Sequence, residues 1–165
     1  MPTSTYTPIQ SYTLGSAQSS VTFNTGLSGY TDLVLVASTQ ATSSGQGQSI
    51  ELNSDTGSNY SATIMRGNGS TAVSARVSSV QAALLSNIAE PPTSSFGVYI
   101  ANFQNYSNAT TYKTILCRSN NAAAGTEAIV NLWRSTAAIT SIKIAISGGN
   151  FNTGSTFTLY GIKAA

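Results

Sequence analysis

Apolar residues at every second position, in short runs cut apart by Gly and Asn, constrain this chain more than any other feature. Ile142, Ile144 and Ile146 alternate with Ser141, Lys143 and Ala145, and Phe157 and Leu159 alternate with Thr156, Thr158 and Tyr160. Successive side chains of an extended strand point to opposite faces, so this period gives each segment one apolar face. Comparable runs cover residues 6–14, 20–24, 31–39, 48–53, 62–66, 96–103, 112–119 and 126–134. Turn chemistry separates them, as in Thr25-Gly26-Leu27-Ser28-Gly29, Gly67-Asn68-Gly69 and Ser147-Gly148-Gly149-Asn150, where Gly and Asn reach positive φ at little steric cost. About ten short strands, with no strand–helix alternation, predict an all-β fold: an antiparallel, jelly-roll-like β-sandwich forming one domain over residues 1–165.

Three segments depart from the pattern. Residues 31–37 are apolar on both faces, which predicts a strand covered on each side by its own domain or by a neighbouring subunit. Across residues 71–88, Val73, Val77, Val80 and Leu84 fit helical spacing, but Val and Ser are weak helix formers, so a strand or irregular connection is favoured. Pro91-Pro92-Thr93-Ser94-Ser95 reads as a loop crossing between sheets, because Pro lacks a donor and drives the preceding residue to extended geometry.

Composition then removes whole classes of chemistry. The chain has seven basic and five acidic residues and no His. Charged residues make up 7% of it, against roughly 25% in an ordinary domain. A Ser or Cys nucleophile usually needs a His base, and five carboxylates, Asp32, Glu51, Asp55, Glu90 and Glu127, define no specific acid/base pair. No catalytic site, cofactor or enzymatic activity is therefore expected. Scattered cations leave no basic block for a run of phosphates, so no nucleic-acid partner is expected. No apolar stretch approaches the ~18 residues of a membrane span, and residues 1–6 lack the basic and apolar regions of a signal peptide. Exit from a cell by a route other than ordinary secretion follows as an expectation. The single Cys117 lies in the apolar run Thr114-Ile115-Leu116-Cys117 and reads as a small buried hydrophobe.

Two loop features bear on binding. Asn53-Ser54-Asp55-Thr56-Gly57-Ser58-Asn59 has the alternate oxygen side chains of a calcium loop without its closing acidic ligand, and reads instead as an Asx-rich turn with no metal. Asn59, Tyr60, Asn105, Tyr106 and Tyr112 are candidate loop contacts, since exposed aromatics beside amides can stack on sugars or pack in a protein interface. Trp133 shares the face of Ile129 and is assigned to the core.

Several stretches together carry a family resemblance. Thr31-Asp32-Leu33-Val34-Leu35-Val36, Leu52-Asn53-Ser54-Asp55-Thr56-Gly57-Ser58-Asn59-Tyr60-Ser61, Gly67-Asn68-Gly69, Asn105-Tyr106-Ser107-Asn108 with Tyr112-Lys113-Thr114, Leu132-Trp133-Arg134-Ser135-Thr136 and Gly154-Ser155-Thr156-Phe157-Thr158-Leu159-Tyr160-Gly161-Ile162-Lys163 resemble small virion proteins of tailed bacteriophages, especially those of cyanobacteria and marine bacteria. The resemblance spans nearly the whole chain. It implies a β-sandwich made in the host cytoplasm and displayed on the virion, with no catalytic residue.

The first expectation is a capsid decoration or cement protein, a homotrimer set over capsomer junctions and bound to the major capsid protein. Its mechanism is added interface area. Residues 1–9 are the candidate anchoring segment, with Tyr6, Pro8, Ile9, Leu33 and Leu35 as candidate capsid or subunit contacts. Two alternatives stand beside it: a tail-fibre or head-fibre knob binding host surface glycans through its loops, and a carbohydrate-binding β-sandwich unrelated to a virion.

Overall fold

The computed structural model describes residues 5–163 and contains twelve strands, with no helix among the described residues. They are β1 (Tyr6–Thr13), β2 (Ser20–Phe23), β3 (Asp32–Thr39), β4 (Gln48–Leu52), β5 (Tyr60–Gly67), β6 (Ala72–Val80), β7 (Ala83–Leu84), β8 (Gly97–Phe103), β9 (Lys113–Asn121), β10 (Gly125–Trp133), β11 (Ile142–Ile146) and β12 (Thr156–Ile162). Every pairing is antiparallel. One sheet has eight strands in the order β1-β12-β3-β8-β9-β10-β5-β6, and the other has four in the order β2-β11-β4-β7.

A jelly roll emerges once two hairpins are set aside. Without β5–β6 and β9–β10, the first of the remaining eight strands pairs with the last (β1 with β12), the second with the seventh (β2 with β11), the third with the sixth (β3 with β8) and the fourth with the fifth (β4 with β7). These nested pairs form the two four-stranded sheets β1-β12-β3-β8 and β2-β11-β4-β7, the double Greek key of a jelly roll. Both inserted hairpins join the larger sheet beyond β8, doubling its width.

Alternation decides what the sheets enclose. In β9, Lys113, Ile115, Cys117, Ser119 and Asn121 are buried while the residues between them are exposed. β10 repeats this with Glu127, Ile129, Asn131 and Trp133 inside. Phe23, Leu35, Ile50, Leu52, Phe157 and Trp133 lie in one continuous core. Removing a side chain of that size from water stabilises the fold by about 1.5–3 kcal/mol.

Polar pins join the inserted hairpins to the small sheet and to the loop that follows β7. The Asn131 amide acts as a strand partner for β7: Leu84 N donates to Asn131 Oδ1 at 2.8 Å, and Asn131 Nδ2 donates to the Leu84 carbonyl at 3.0 Å. The buried Glu127 carboxylate accepts from Asn87 N and Ile88 N, each at 2.7 Å, and Asn121 Nδ2 donates to the Glu90 carbonyl at 2.8 Å. Without such partners these buried polar groups would each cost about 1–3 kcal/mol.

The segment over residues 71–88 is extended, forming β6 and the two-residue β7. The loop carrying Pro91 and Pro92 leads from β7 in the small sheet to β8 in the large one, as its composition predicts. Cys117 and Trp133 are both buried, as expected.

Candidate functional site: the outer face of the large sheet

Residues directly opposite each other on paired strands share a face, so register turns the sequence into a surface. One row on the outer face runs Tyr160, Val34, Asn102, Leu116, Val130, Thr63, Arg76. The next runs Thr158, Val36, Ile100, Arg118, Ala128, Met65, Ser74. Apolar side chains fill much of both rows. Met65 is 67% exposed, Val130 47%, Val98 39% and Leu116 38%, and with Tyr6 of β1 five of the eight large apolar side chains exposed among the described residues stand on this one face. Val98 lies one step along β8 from Ile100, opposite Ser38.

Eight strands spaced about 4.8 Å apart, each about eight residues long at about 3.4 Å per residue, give a face of roughly 34 by 27 Å. That is about 900 Å², comparable to the ~800 Å² one partner contributes to a standard interface. Two depressions occupy its β9–β6 end. The larger, of about 580 Å³, lies among Met65, Ser74, Arg118 and Ala128. The smaller, of about 150 Å³, lies among Thr63, Arg76, Val130 and Leu132.

The candidate anchoring residues separate along this sheet. Tyr6 and Pro8 are exposed on β1 and share the outer face, Pro8 opposite Tyr160 and Tyr6 opposite Ile162. The Tyr6 ring meets the Tyr160 ring edge-on, with centroids 6.2 Å apart. Ile9 sits where the β1–β12 register shifts and packs half-buried against the core. Residues 1–4 of the expected anchor lie outside the described residues. Leu33 and Leu35 require a correction: both point into the sandwich and are fully buried, so neither side chain can reach a capsid or a second subunit. On the other face of the same strand, Val34 is shielded between Tyr160 and Asn102, which accounts for the double apolar pattern of residues 31–37 within the chain's own sheet.

The loop candidates also divide, and two of them are corrected. Tyr60 is fully buried and its ring stacks on Trp133 at 6.2 Å between centroids. Its hydroxyl accepts from Leu52 N at 3.0 Å and donates to the Asp55 carbonyl at 3.2 Å, and burial pushes its pKa up to about 12. Tyr106 is buried too, its hydroxyl donating to the Leu27 carbonyl. Neither ring can stack on a sugar. Asn59 is half-buried, with Nδ2 donating to Asp55 Oδ2 at 3.0 Å. Asn105 is exposed in a turn at φ 51°, and Tyr112 is 55% exposed.

The loop amides are largely committed to holding turns. Asn53 Oδ1 accepts from Thr140 N at 2.8 Å and Ser141 N at 3.1 Å, Asn68 Oδ1 from Thr71 N at 2.8 Å, and Asn108 Oδ1 from Thr110 N at 2.7 Å. In the calcium-like stretch, the Asp55 carboxylate accepts from Trp133 Nε1 at 2.7 Å, Gly57 N at 2.9 Å and Asn59 Nδ2. Foremost the Trp133 indole N–H, then the Asn59 and Gly57 donors, hold its pKa below 3.8 against the opposing effect of burial. A carboxylate facing N–H donors is arranged to fasten a turn, in keeping with the Asx-turn reading.

Sequence reasoning missed the outer-face residues Met65, Val98, Leu116 and Val130. Met65 and Leu116 are lone apolar residues on the polar side of their strands, Val98 and Val130 have only one or two apolar neighbours there, and the patch becomes visible only when neighbouring strands are placed in register. Compared with known protein families and with curated proteins, the chain matches none.

Proposed function

We propose that this chain is a non-enzymatic virion structural protein of a tailed bacteriophage, decorating the capsid exterior and contributing stability through interface area. It oligomerises, with a homotrimer as the expected order, and attaches to the major capsid protein. The observation that supports this reading is the outer face of the large sheet, where Met65, Val98, Leu116 and Val130 stand exposed together over about the area one partner gives to a stable interface. Burial of Tyr60 and Tyr106 removes two of the aromatics on which the glycan-binding alternative drew, leaving Tyr112 as its exposed loop tyrosine among the candidates. The virion assignment itself rests on the sequence resemblance, since a jelly roll serves viral coats and lectins alike.

Counting copies in purified particles tests the proposal. Hundreds of copies per virion are expected; a few to some tens would instead indicate a fibre, and absence would refute both virion readings. Replacing Met65 and Val130 with Asp should leave the fold intact, because both side chains face outward, and should strip the protein from the particle. Full occupancy by that variant would refute this face as the attachment surface.

A further inference from the structure

Of the seven cationic side chains, five have partners within the chain. Arg66 donates to Asn87 Oδ1 at 2.8 Å, Arg134 to the Ser58 carbonyl at 2.7 Å, and Lys113 to the Thr111 and Thr136 carbonyls at 2.8 and 3.1 Å. Lys143 pairs with Glu51 at 3.3 Å, and the Lys163 ammonium lies 5.5 Å from the centre of the Tyr30 ring. The remaining two, Arg76 and Arg118, make no hydrogen bond, ion pair or ring contact among the described residues. Both stand on the outer face, in the part built by the inserted hairpins, and each borders one of the two depressions.

Register fixes their spacing. Arg118 is three strands from Ser74, through Ala128 and Met65, and Arg76 lies two residues further along β6. At about 4.8 Å between strands and about 3.4 Å per residue, the two positions are roughly 16 Å apart. Between them lie Met65, Ala128, Val130 and Thr63. No acidic residue occupies the outer face from β8 to β6: Glu127 of β10 points inward.

We infer that this sector docks an acidic surface of a different protein, with carboxylate groups received by Arg76 and Arg118, whose backbone positions stand roughly 16 Å apart, around an apolar centre received by Met65 and Val130. The inference rests on the reading of the outer face as an interface and names the partner chemistry for its β9–β6 end. A second copy of this chain is a poor occupant. Asp32 accepts from Asn105 N at 2.6 Å, Glu51 is paired with Lys143, and Asp55 and Glu127 are held by internal N–H donors, so Glu90 alone stands outside these bonds. Face-to-face self-docking would also bring guanidinium against guanidinium with no anion between them, and like charges at an interface disfavour association. A glycan is disfavoured as well, because Met, Ala and Val line the sector where sugar recognition uses aromatic platforms.

The test is photo-crosslinking in producing cells, with a photoreactive amino acid at Thr63 and the cross-linked peptide identified by mass spectrometry. The expected adduct joins Thr63 to a carboxylate-bearing segment of another protein, and charge reversal by Arg76→Glu with Arg118→Glu lowers its yield at least tenfold. Arg76→Gln with Arg118→Gln serves as a milder pair, and thermal melting of both variants establishes that they remain folded. An adduct with a second copy of this chain or with a glycan, no adduct, or a yield indifferent to both charge changes would overturn the inference. Two failures stay distinguishable. Abundance in virions with self-crosslinks defeats the docking inference alone, whereas an acidic partner found in a chain absent from virions defeats the virion reading alone.

Discussion

Asp55 offers a sharp test of how the loops are held, because its carboxylate gathers the donors of three residues while the only tryptophan reports on it. Trp133 is 2% exposed, and its indole N–H donates to Asp55 Oδ2 at 2.7 Å. Asp55→Ala leaves that N–H buried without an acceptor. Hydrogen bonds to charged groups contribute about 1.5–3 kcal/mol, and an orphaned buried donor costs about 1–3 kcal/mol. Gly57 N, on an exposed residue, can turn to water, and Asn59 is only half-buried, so most of the loss falls on Trp133. The expected destabilisation is about 3 kcal/mol, which for a chain of this length lowers the melting temperature by about 6–12 °C.

Urea unfolding followed by Trp133 fluorescence measures this directly, since no second indole contributes. Asp55→Asn, which keeps an acceptor oxygen, should recover at least half of the loss. Acid supplies an independent check. The folded pKa of Asp55 lies below its ordinary 3.8, so its contribution is fully present above that value and fades as pH falls through the folded pKa. Asp55→Ala should therefore be the less acid-sensitive protein below pH 4. A loss under about 0.5 kcal/mol at neutral pH, against the ~1 kcal/mol minimum for orphaning a buried donor, would refute the pin.

Three further perturbations follow from the interior. Glu127→Gln turns an amide NH₂ toward Asn87 N or Ile88 N, so a cost of about 3 kcal/mol and faster proteolysis between residues 86 and 92 are expected by urea melts and limited digestion; unchanged digestion would count against the pin. At Gly161 an added Cβ would overlap the Tyr30 ring, so Gly161→Ala should cost about 1–3 kcal/mol, and less than half of that in a Tyr30→Ala background; equal costs would refute the contact. Burial raises the Cys117 thiol from 9.0 to about 12, so its contribution is whole below pH 9 and declines by about 1.4 kcal/mol per pH unit between pH 9 and 12. Cys117→Ala should flatten that alkaline decline in a melt series, and an unchanged slope would show that the thiol does not drive it.

Strands were legible wherever one face met the core and the other met water. β9 and β11 alternate without exception, and period two locates them within a residue or two. β6 escaped because it is an edge strand with exposed or half-buried residues on both sides, leaving small side chains such as Ala72, Ser74 and Ser78 with no burial contrast to record. β7 is two residues long and is held by a side chain 47 positions away, the Asn131 amide, which no local window contains. Tyr60 misled for a related reason. It follows Asn59 in a turn-rich stretch, yet it is the first residue of β5, and its hydroxyl finds the backbone of Leu52 inside the sandwich.

The outer face was illegible on different grounds, and these grounds bear on its function. Leu116 and Val130 are separated in sequence but directly opposed in register, and Met65 stands one step away beside Ala128. Taken strand by strand, Met65 and Leu116 are each a lone apolar residue among polar ones and Val130 has only Ala128 and Leu132 beside it, a pattern common on any protein surface that carries no meaning by itself. Pairing adds them into one surface, and the same pairing places Arg76 and Arg118 on either side of it. Interior packing cannot account for these six positions, because their side chains point away from the core. Strand alternation does not account for the four apolar ones either, since a polar residue at each would satisfy the pleat equally well. On the reading proposed above they meet a surface outside this chain, so substitutions here should spare the melting temperature and act on attachment, whereas substitutions at the buried Leu33 or Leu35 should do the reverse.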